Sequence, residues 1–402
     1  MPGSYDVALL GAGGAGHLVL LELADRDPDL RVAVVDPVVR SGWDRTWCFW
    51  AAGASTVDEV VEGRWRRLLL AGGGRDPQVL DLGPLTYRLV RSDAVYALTA
   101  GRVAAASRLR VDRIPAGAGR VVEDSRGAVV ETPAGALRAS WVLDSRPAPP
   151  ARPGAVTWVQ SFVGRVLPAS AAPDLGGVPV FMDFRTAQPQ RGLSFGYCLP
   201  LADGAVLVEY TEFAPRPLDP GHAARALDSY LTLLGGDPAA EPIHVERGAI
   251  PMTDAPFPRR RGRRTLRLGT AGGATRPSTG YTFAAMARQA ASLAADLTAG
   301  RPPVAPAAYP ARHRALDAAL LRGLDDGLVD GPGFFRRLFD RHPAERVLRF
   351  LDGASSPAEE LRIMASSPQR TMTRATVRAL AGRFPASGPE VGPEVGPEVS
   401  PG

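Results

Sequence analysis

The first 36 residues alternate between apolar runs and a glycine-rich turn. Residues 5–10 form a short apolar run, residues 14–24 have the spacing of a helix, and residues 31–36 form a second run that is rich in valine. Apolar runs on either side of a helix are typical of buried parallel strands. The pattern therefore predicts a strand, a helix and a strand, which together form a βαβ unit.

A second pattern begins after the proline-rich stretch at residues 146–153. Segments 158–163 and 205–210 alternate apolar and polar positions and contain aromatic residues, which favours an antiparallel sheet. Residues 265–269 return to a buried-strand pattern, and residues 282–298 carry one apolar stripe at helical spacing. After residue 302 the pattern predicts further helices. The predicted division is a split nucleotide domain (1–150 and 262–300), an inserted sheet domain (151–261), a helical region (301–385) and a disordered Gly-Pro-Glu-Val tail (386–402).

Composition adds limits rather than a function. The chain has 402 residues, a net charge of +5 and only two cysteines, Cys48 and Cys198, so we expect no disulfide framework and no metal site. No apolar run reaches the roughly 18 residues of a membrane span, so we expect a cytoplasmic protein. The arginine run at 259–264 lacks interleaved aromatic residues, which disfavours nucleic-acid binding. Contact with anionic lipid stays open, and a solvated loop is the simpler interpretation.

Residues 11–16 read Gly-Ala-Gly-Gly-Ala-Gly between the first strand and the helix. Gly11 permits the tight turn, Gly13 lets the backbone approach a pyrophosphate and Gly16 lets helix and strand pack closely, while Gly14 opens the helix. Free N–H groups at a helix N-terminus favour an anion. Asp36 ends the second strand, where a carboxylate binds ribose hydroxyls. The setting predicts a dinucleotide site, against the alternative of a simple glycine-rich turn.

A second glycine cluster, at residues 269–273 and 277–281, also joins a strand to a helix. We expect Gly272, Gly273, Thr279 and Gly280 to bind the cofactor, with Thr279 also capping the helix that follows, so that the helix N-terminus faces an anion. Two separate strand-to-helix turns suit a flavin dinucleotide, one at the pyrophosphate and one near the isoalloxazine ring. The alternative is a loop that needs glycines for its own geometry. The predicted fold is α/β, an FAD-binding Rossmann-type (doubly wound) domain with an inserted, mostly antiparallel sheet for the substrate and C-terminal helices.

Taken in order, several short segments resemble the flavin-dependent lycopene cyclases of carotenoid synthesis, from the N-terminal motif to about residue 350. Two positions depart from the usual pattern of that family. Arg45 stands where the family usually has His, and Tyr210 stands where plant members have a second Glu. The segments that carry the resemblance are RTWCF at 45–49, MDFR at 182–185, FGYCLP at 195–200, LVEYT at 207–211, ERGAIPM at 246–252 and AGGATRPSTGY at 271–281.

The resemblance implies an acid-base isomerisation without net redox change. A terminal double bond of lycopene is protonated, the neighbouring alkene attacks the cation, and loss of a proton leaves a β-ring, giving γ-carotene or β-carotene. It also implies reduced FAD as the cofactor, an anion that stabilises a carbocation, with NAD(P)H as a candidate reductant. The number of rings and the oligomeric state stay open at this point.

The resemblance and the local pattern both make Glu209 the candidate proton donor. It follows three apolar strand residues, and desolvation raises the pKa of a carboxyl group. Asp183 is the second candidate. Either carboxylate has a simpler alternative, a strand position that faces solvent or pairs with an arginine such as Arg185.

A hydrocarbon substrate also needs an apolar path. We expect Trp47, Phe184, Tyr197 and Phe283 to line a tunnel, although each alone is equally suited to plain core packing. Because lycopene dissolves only in membranes, we expect peripheral membrane attachment through an apolar helix face at 334–339. Ordinary helix packing is the alternative for that face.

Two other functions remain open from the sequence. One is an FAD-dependent monooxygenase or oxidoreductase, although such enzymes usually have Gly-Asp where this chain has Gly269 and Thr270. The other is a non-catalytic carotenoid or lipid carrier. Consumption of NAD(P)H in proportion to product separates the first from a cyclase, and unchanged bound lycopene identifies the second.

Overall fold

The computed structural model of the chain describes residues 4–149, 156–366 and 373–377. The proposed boundary at residue 150 and the tail at 386–402 fall outside these residues. The strands in chain order are β1 (Ser4–Leu10), β2 (Arg31–Val35), β3 (Thr46–Ala51), β4 (Val61–Trp65), β5 (Arg67–Gly72), β6 (Arg75–Asp81), β7 (Thr86–Arg91), β8 (Arg110–Ile114), β9 (Val121–Asp124), β10 (Gly127–Val130), β11 (Leu137–Asp144), β12 (Thr157–Leu167), β13 (Val180–Asp183), β14 (Leu193–Pro200), β15 (Val206–Ala214), β16 (His244–Thr253) and β17 (Thr265–Arg267).

The helices lie where an apolar stripe meets a sheet or another helix. In chain order the helices are α1 (Gly14–Arg26), α2 (Ser92–Ala105), α3 (Pro220–Leu234), α4 (Phe283–Thr298), α5 (Ala311–Asp325), α6 (Gly331–Arg341), α7 (Ala344–Leu351) and α8 (Pro357–Ser366).

The first sheet contains the predicted βαβ unit. Its strand order is β8-β2-β1-β11-β10-β9, and β17 pairs with β11. The pairs β1–β2, β1–β11, β2–β8 and β11–β17 are parallel, as the continuous apolar runs indicate. Helices α1 and α4 pack against each other beside this sheet. The strand that returns at Thr265 therefore joins the sheet of the N-terminal unit.

The second sheet has the order β16-β12-β15-β14-β13-β5-β6. All its pairs are antiparallel except β13–β5, which is parallel. Strands β5 and β6 come from residues 67–81, which the sequence analysis assigned wholly to the nucleotide domain. That assignment is corrected here, because alternating apolar positions predict a strand but do not indicate which sheet it joins.

The two faces of the second sheet differ in what covers them. Helix α3 packs on β12 and β15 and buries one face. The other face belongs to a larger core that includes the small sheet β3-β7-β4 and helices α5 to α7. The site described below lies on this second face.

The apolar side chains of α6 belong to that larger core. Phe335, Leu338 and Phe339 are each at most 3% exposed, and Phe334 packs against the same cluster. The predicted membrane-binding face at 334–339 is therefore wrong, since amphipathic helices bury this kind of stripe whenever a core is available. Among the described residues, no helix combines the length and the apolar character that crossing a bilayer requires.

Candidate active site

The first glycine turn has the geometry that a pyrophosphate site needs. Gly11 has φ of +86°, and a Cβ at Gly16 would lie 2.6 Å from the carbonyl oxygen of Gly11. A Cβ at Gly14 would lie 2.9 Å from the ring of Trp47, whereas a Cβ at Gly13 would meet nothing within 4 Å. The space beside Gly13 is thus open at the N-terminus of α1, where backbone N–H groups favour an anion.

Asp36 lies directly beside this turn. Its Oδ2 accepts a hydrogen bond from the backbone N–H of Ala12 at 2.6 Å, and its Oδ1 accepts one from Val38 at 2.8 Å. The carboxylate therefore holds the turn against the end of β2. Each of its oxygens has room for a further donor, so its binding of ribose hydroxyls stays a prediction.

The second glycine cluster meets the first. A Cβ at Gly269 would lie 3.1 Å from Cβ of Ala15 on α1, and one at Gly272 would lie 2.4 Å from a backbone oxygen. Gly273 and Gly280 have φ of +77° and +72°, and Gly280 faces Gln160 of the second sheet. The cluster therefore runs from the N-terminus of α1 to the second sheet.

Thr279 does not cap the helix that follows, so that prediction is wrong. Helix α4 begins at Phe283 after Thr282, because a hydrogen bond from Arg276 N–H to the carbonyl of Tyr281 closes the turn before the helix starts. Thr279 is 4% exposed, and its Oγ1 has no hydrogen-bond partner. A buried hydroxyl without a partner costs free energy, and this one is free to bind a polar group of a cofactor.

On the second sheet, four residues from four strands lie side by side. Tyr197 of β14 pairs with Glu209 of β15, Glu209 pairs with Gly164 of β12, and Gly164 pairs with Glu246 of β16. Residues directly opposite each other have side chains on the same face. Two carboxyl groups therefore flank a glycine, and a Cβ at that position would meet the side chains of Leu207, Glu246 and Glu209 at 3.1 to 3.6 Å.

Burial raises the pKa of both carboxyl groups. For Glu209 the pKa rises to about 8, through desolvation first and the nearby charge of Glu246 second, while a hydrogen bond from Thr211 at 2.7 Å opposes the rise. For Glu246 the pKa rises to about 7 through desolvation, opposed by Thr46 and by the charge of Arg45. A pair of this kind holds a proton near neutral pH, which suits acid-base chemistry.

An aromatic group adjoins the pair through Tyr197, the cross-strand neighbour of Glu209. The hydroxyls of Tyr87 and Tyr197 are hydrogen-bonded to each other, and the rings of Trp50 and Tyr281 meet edge to face at 4.9 Å. Burial raises the pKa of the Cys48 thiol to about 12. Tyr197, Tyr281 and Cys48 are desolvated yet remain partly accessible, as expected of side chains that line an internal cavity.

Asp183, the second candidate acid, lies on the opposite face of the sheet. Its Oδ2 is 2.6 Å from Nη2 of Arg185 and accepts a hydrogen bond from Tyr230 of α3 at 3.2 Å. Helix α3 covers the face that contains Val208 and Tyr210, whereas Glu209 points the other way. The structure thus adopts the arginine pairing left open above and does not bring Asp183 to Glu209.

Of the four residues expected to line a tunnel, Trp47 and Phe283 are in ring contact, with centroids 5.7 Å apart, and the other two lie elsewhere. Tyr197 lies beside Glu209, but Trp47 packs on the glycine turn at Gly14. Phe283 stacks on Phe49 in the core of the first domain, and Phe184 stacks near Phe335 of α6. Of the four, only Tyr197 is placed beside the two carboxyl groups.

Sequence reasoning missed Glu246. It was quoted within a motif, but its neighbours in β16 include His244 and Arg247, so nothing local indicates burial. One signal could have indicated it, namely Gly164 in an otherwise alternating strand. A glycine inside a strand often marks a position where another part of the chain approaches the backbone closely. The approach involves two strands that lie far apart along the chain.

Comparison with known proteins first defines the class. A flavoprotein/dehydrogenase from Cytophaga hutchinsonii has a similar structure, with a TM-score of 0.64 at 12% identity over 94% of this chain and 100% of that chain. The chain has the FAD-binding Rossmann-type fold of flavoproteins. The family model described as "Lycopene cyclase protein" matches residues 6–377, and the chain belongs to the lycopene cyclase family.

Two relatives show how close this similarity is. The lycopene beta-cyclase of Pantoea ananas is 27% identical over 252 residues, which cover 62% of this chain and 63% of that protein. The lycopene beta-cyclase of Pseudescherichia vulneris is 28% identical over 292 residues, which cover 69% of this chain and 70% of that protein. The chain thus spans a little under two thirds of the first relative's length.

Proposed function

We propose that this protein is a lycopene β-cyclase, which converts acyclic ends of lycopene to β-rings by acid-base chemistry without net redox change. The observation that carries the proposal is the desolvated carboxyl group of Glu209, which lies beside Tyr197 and shares Gly164 as a neighbour with Glu246. Its pKa of about 8 keeps a proton on it at neutral pH. An alkene is a weak base, so a proton donor for it has to be held in an apolar site close to the double bond.

In this proposal, Glu209 donates its proton to the terminal double bond of the substrate. The faces of Tyr197, Tyr87 and Trp50 stabilise the resulting positive charge, as aromatic rings do for cations. Their packing also keeps bulk water away from the cation, which water would otherwise capture. The neighbouring alkene then closes the ring.

The residues present fit an FAD cofactor. The open space at Gly13, the N-terminus of α1 and the unpartnered hydroxyl of Thr279 would bind its pyrophosphate and a polar group nearer the ring system. Asp36 is placed to bind the ribose. When reduced and bound, such a cofactor supplies negative charge near a developing carbocation. NAD(P)H is the reductant that we propose for it.

The proposal is tested by expressing the chain in a bacterium that accumulates lycopene and separating the pigments by chromatography. We expect β-rings from the unaltered chain and uncyclised lycopene from Glu209→Gln, with flavin still bound. The matched control is Glu212→Gln, since Glu212 lies on the same strand but faces α3, where it accepts a hydrogen bond from Tyr210 at 2.9 Å. Normal β-rings from Glu209→Gln would refute the role of Glu209.

The same fold serves redox flavoproteins, so the reaction type needs its own measurement. A cyclase should take up one solvent deuteron per ring and should not consume NAD(P)H in proportion to product. Proportional consumption would instead identify an oxidoreductase. Lycopene that stays bound and unchanged would identify a carrier.

We further propose that the protein works at a membrane surface, because its hydrocarbon substrate dissolves in bilayers. The apolar face of α6 is not available for this contact, since its side chains are buried. Co-sedimentation with anionic lipid vesicles tests the association. A protein that stays in the supernatant while cyclising vesicle-bound lycopene would refute it.

A further inference from the structure

We propose that Glu246 is the base of the reaction, the group that removes the ring proton after Glu209 has delivered one to the substrate. This inference rests on the proposed cyclase function and assigns a role to a residue that the sequence did not single out. It follows from where the two carboxyl groups stand relative to each other and from the difference between their surroundings.

The first argument is the register of the sheet. Glu209 and Glu246 pair with the same residue, Gly164, from opposite sides. A Cβ at Gly164 would lie 3.3 Å from Cγ of Glu246 and 3.6 Å from Cβ of Glu209. The same Cβ would lie 3.1 Å from Cδ1 of Leu207, so any larger residue would press on both acids, whereas glycine lets them approach each other. A substrate end at this position would therefore reach both groups.

The second argument is an unpartnered atom. Glu246 is 6% exposed, yet its Oε2 has no hydrogen-bond partner. A buried carboxylate oxygen normally accepts hydrogen bonds, and one without a partner costs free energy unless a ligand or a proton occupies it. The oxygen is thus free to accept a proton from bound substrate.

The third argument separates the roles of the two acids. Thr46 and the charge of Arg45 favour the ionised form of Glu246. Glu209 has one such partner, the hydroxyl of Thr211, and its proton is further retained by the negative charge of Glu246. When the environments of two neighbouring acids favour different protonation states in this way, one acid serves as the proton donor and the other as the base. Glu209 is the donor, and Glu246 is the base.

The steps balance without an oxidant or reductant. The proton of Glu209 forms a C–H bond at the terminal alkene carbon, and the electrons of the neighbouring alkene form the ring C–C bond. A ring C–H bond then breaks, its electrons become the ring double bond, and its proton moves to Oε2 of Glu246. Transfer of that proton across Gly164 to Glu209 restores the starting state.

The test uses the purified protein with its flavin and with lycopene in vesicles. It compares initial rates of β-ring formation for Glu246→Gln, Glu246→Asp and the control Glu212→Gln. We expect Glu246→Gln to be at least about 100-fold slower than the unaltered protein, the usual scale for losing a general base. Because it keeps a carboxylate, Glu246→Asp should be at least about tenfold faster than Glu246→Gln. The control should retain its rate.

Bound flavin and melting temperature are measured for each variant to identify loss of folding. A Glu246→Gln rate within about tenfold of the unaltered rate overturns the inference. So does an equal loss in the Asp and Gln variants with flavin still bound, because a purely structural role would give that result. If the unaltered protein forms no rings at all, it is the proposed function that fails, not the assignment of Glu246.

Discussion

The acid at position 209 should reduce the stability of the folded protein above neutral pH. In the unfolded chain a glutamate loses its proton near its ordinary pKa of 4.5, whereas in the fold the pKa of Glu209 is about 8. Between these values the unfolded state binds fewer protons than the native state, so the free energy of unfolding falls as pH rises. The contribution of protonated Glu209 to the free energy of unfolding is fully present below about pH 4.5. It falls as the pH rises and is lost once the pH passes about 8.

Glu209→Gln removes this loss of stability at high pH, because glutamine has a similar shape and no charge. One pKa unit corresponds to about 1.4 kcal/mol, so the full rise corresponds to at most about 5 kcal/mol above pH 8 and to about 0.8 kcal/mol near pH 5. We therefore expect Glu209→Gln to be inactive and yet more stable than the unaltered protein at pH 9, with little difference at pH 5. Loss of activity with a gain in stability is typical of strained active sites.

Differential scanning calorimetry of both proteins at pH 5, 7 and 9 measures the effect. The melting temperature of Glu209→Gln should exceed that of the unaltered protein by several degrees at pH 9 and by less at pH 7, and the pH 5 pair serves as the internal control. A constant difference at all three values, or a destabilised variant at pH 9, would refute the claim that Glu209 is held protonated by burial.

Three further changes test the site and its support. Gly164→Ala should slow cyclisation by about tenfold or more, because small displacements of reacting groups are costly. The control Gly101→Ala, at an open helix position, should leave initial rates unchanged, and equal rates for the two variants would contradict the prediction. Gly11→Ala should abolish flavin absorbance, since φ there is +86° and a methyl group would strain the turn; full flavin content would contradict it. Arg276→Met should lower the free energy of unfolding by about 3–5 kcal/mol, because it leaves the buried carboxylate of Asp317 without the guanidinium that pairs with it. In thermal unfolding, the double variant Arg276→Met with Asp317→Leu should recover part of that loss.

The parts of the fold that local patterns determine were predictable. The apolar runs at residues 5–10 and 31–36 correspond to β1 and β2, and the glycine turn between strand and helix has the positive φ and the close contacts that its residue types imply. Each of these features depends on residues within about 30 positions of one another. A βαβ unit closes its own contacts, so its sequence contains nearly all the information about its geometry.

The remaining features depend on pairings between distant segments. Strands β5 and β6 were predicted to belong to the N-terminal domain only because of their position in the sequence, since their residue pattern does not indicate which sheet they join. Thr279 was expected to cap α4, but the hydrogen bond that closes the preceding turn moves the start of the helix. The buried side chains of α6 have the same stripe that a membrane-binding helix would have, and amphipathicity alone does not say what covers it.

The distinction between a cyclase and a redox enzyme of the same fold depends on one face of one sheet. The nucleotide turns are what any flavoprotein of this fold needs, so they carry no information about the reaction. The acid pair exists only because β12 lies between β15 and β16 in a register that puts Gly164 opposite both glutamates. A shift of one residue in either pairing would turn a carboxyl group to the face covered by α3. The chemistry that we propose is therefore a property of strand register, and a glycine between two acids is the sequence feature by which it can be recognised.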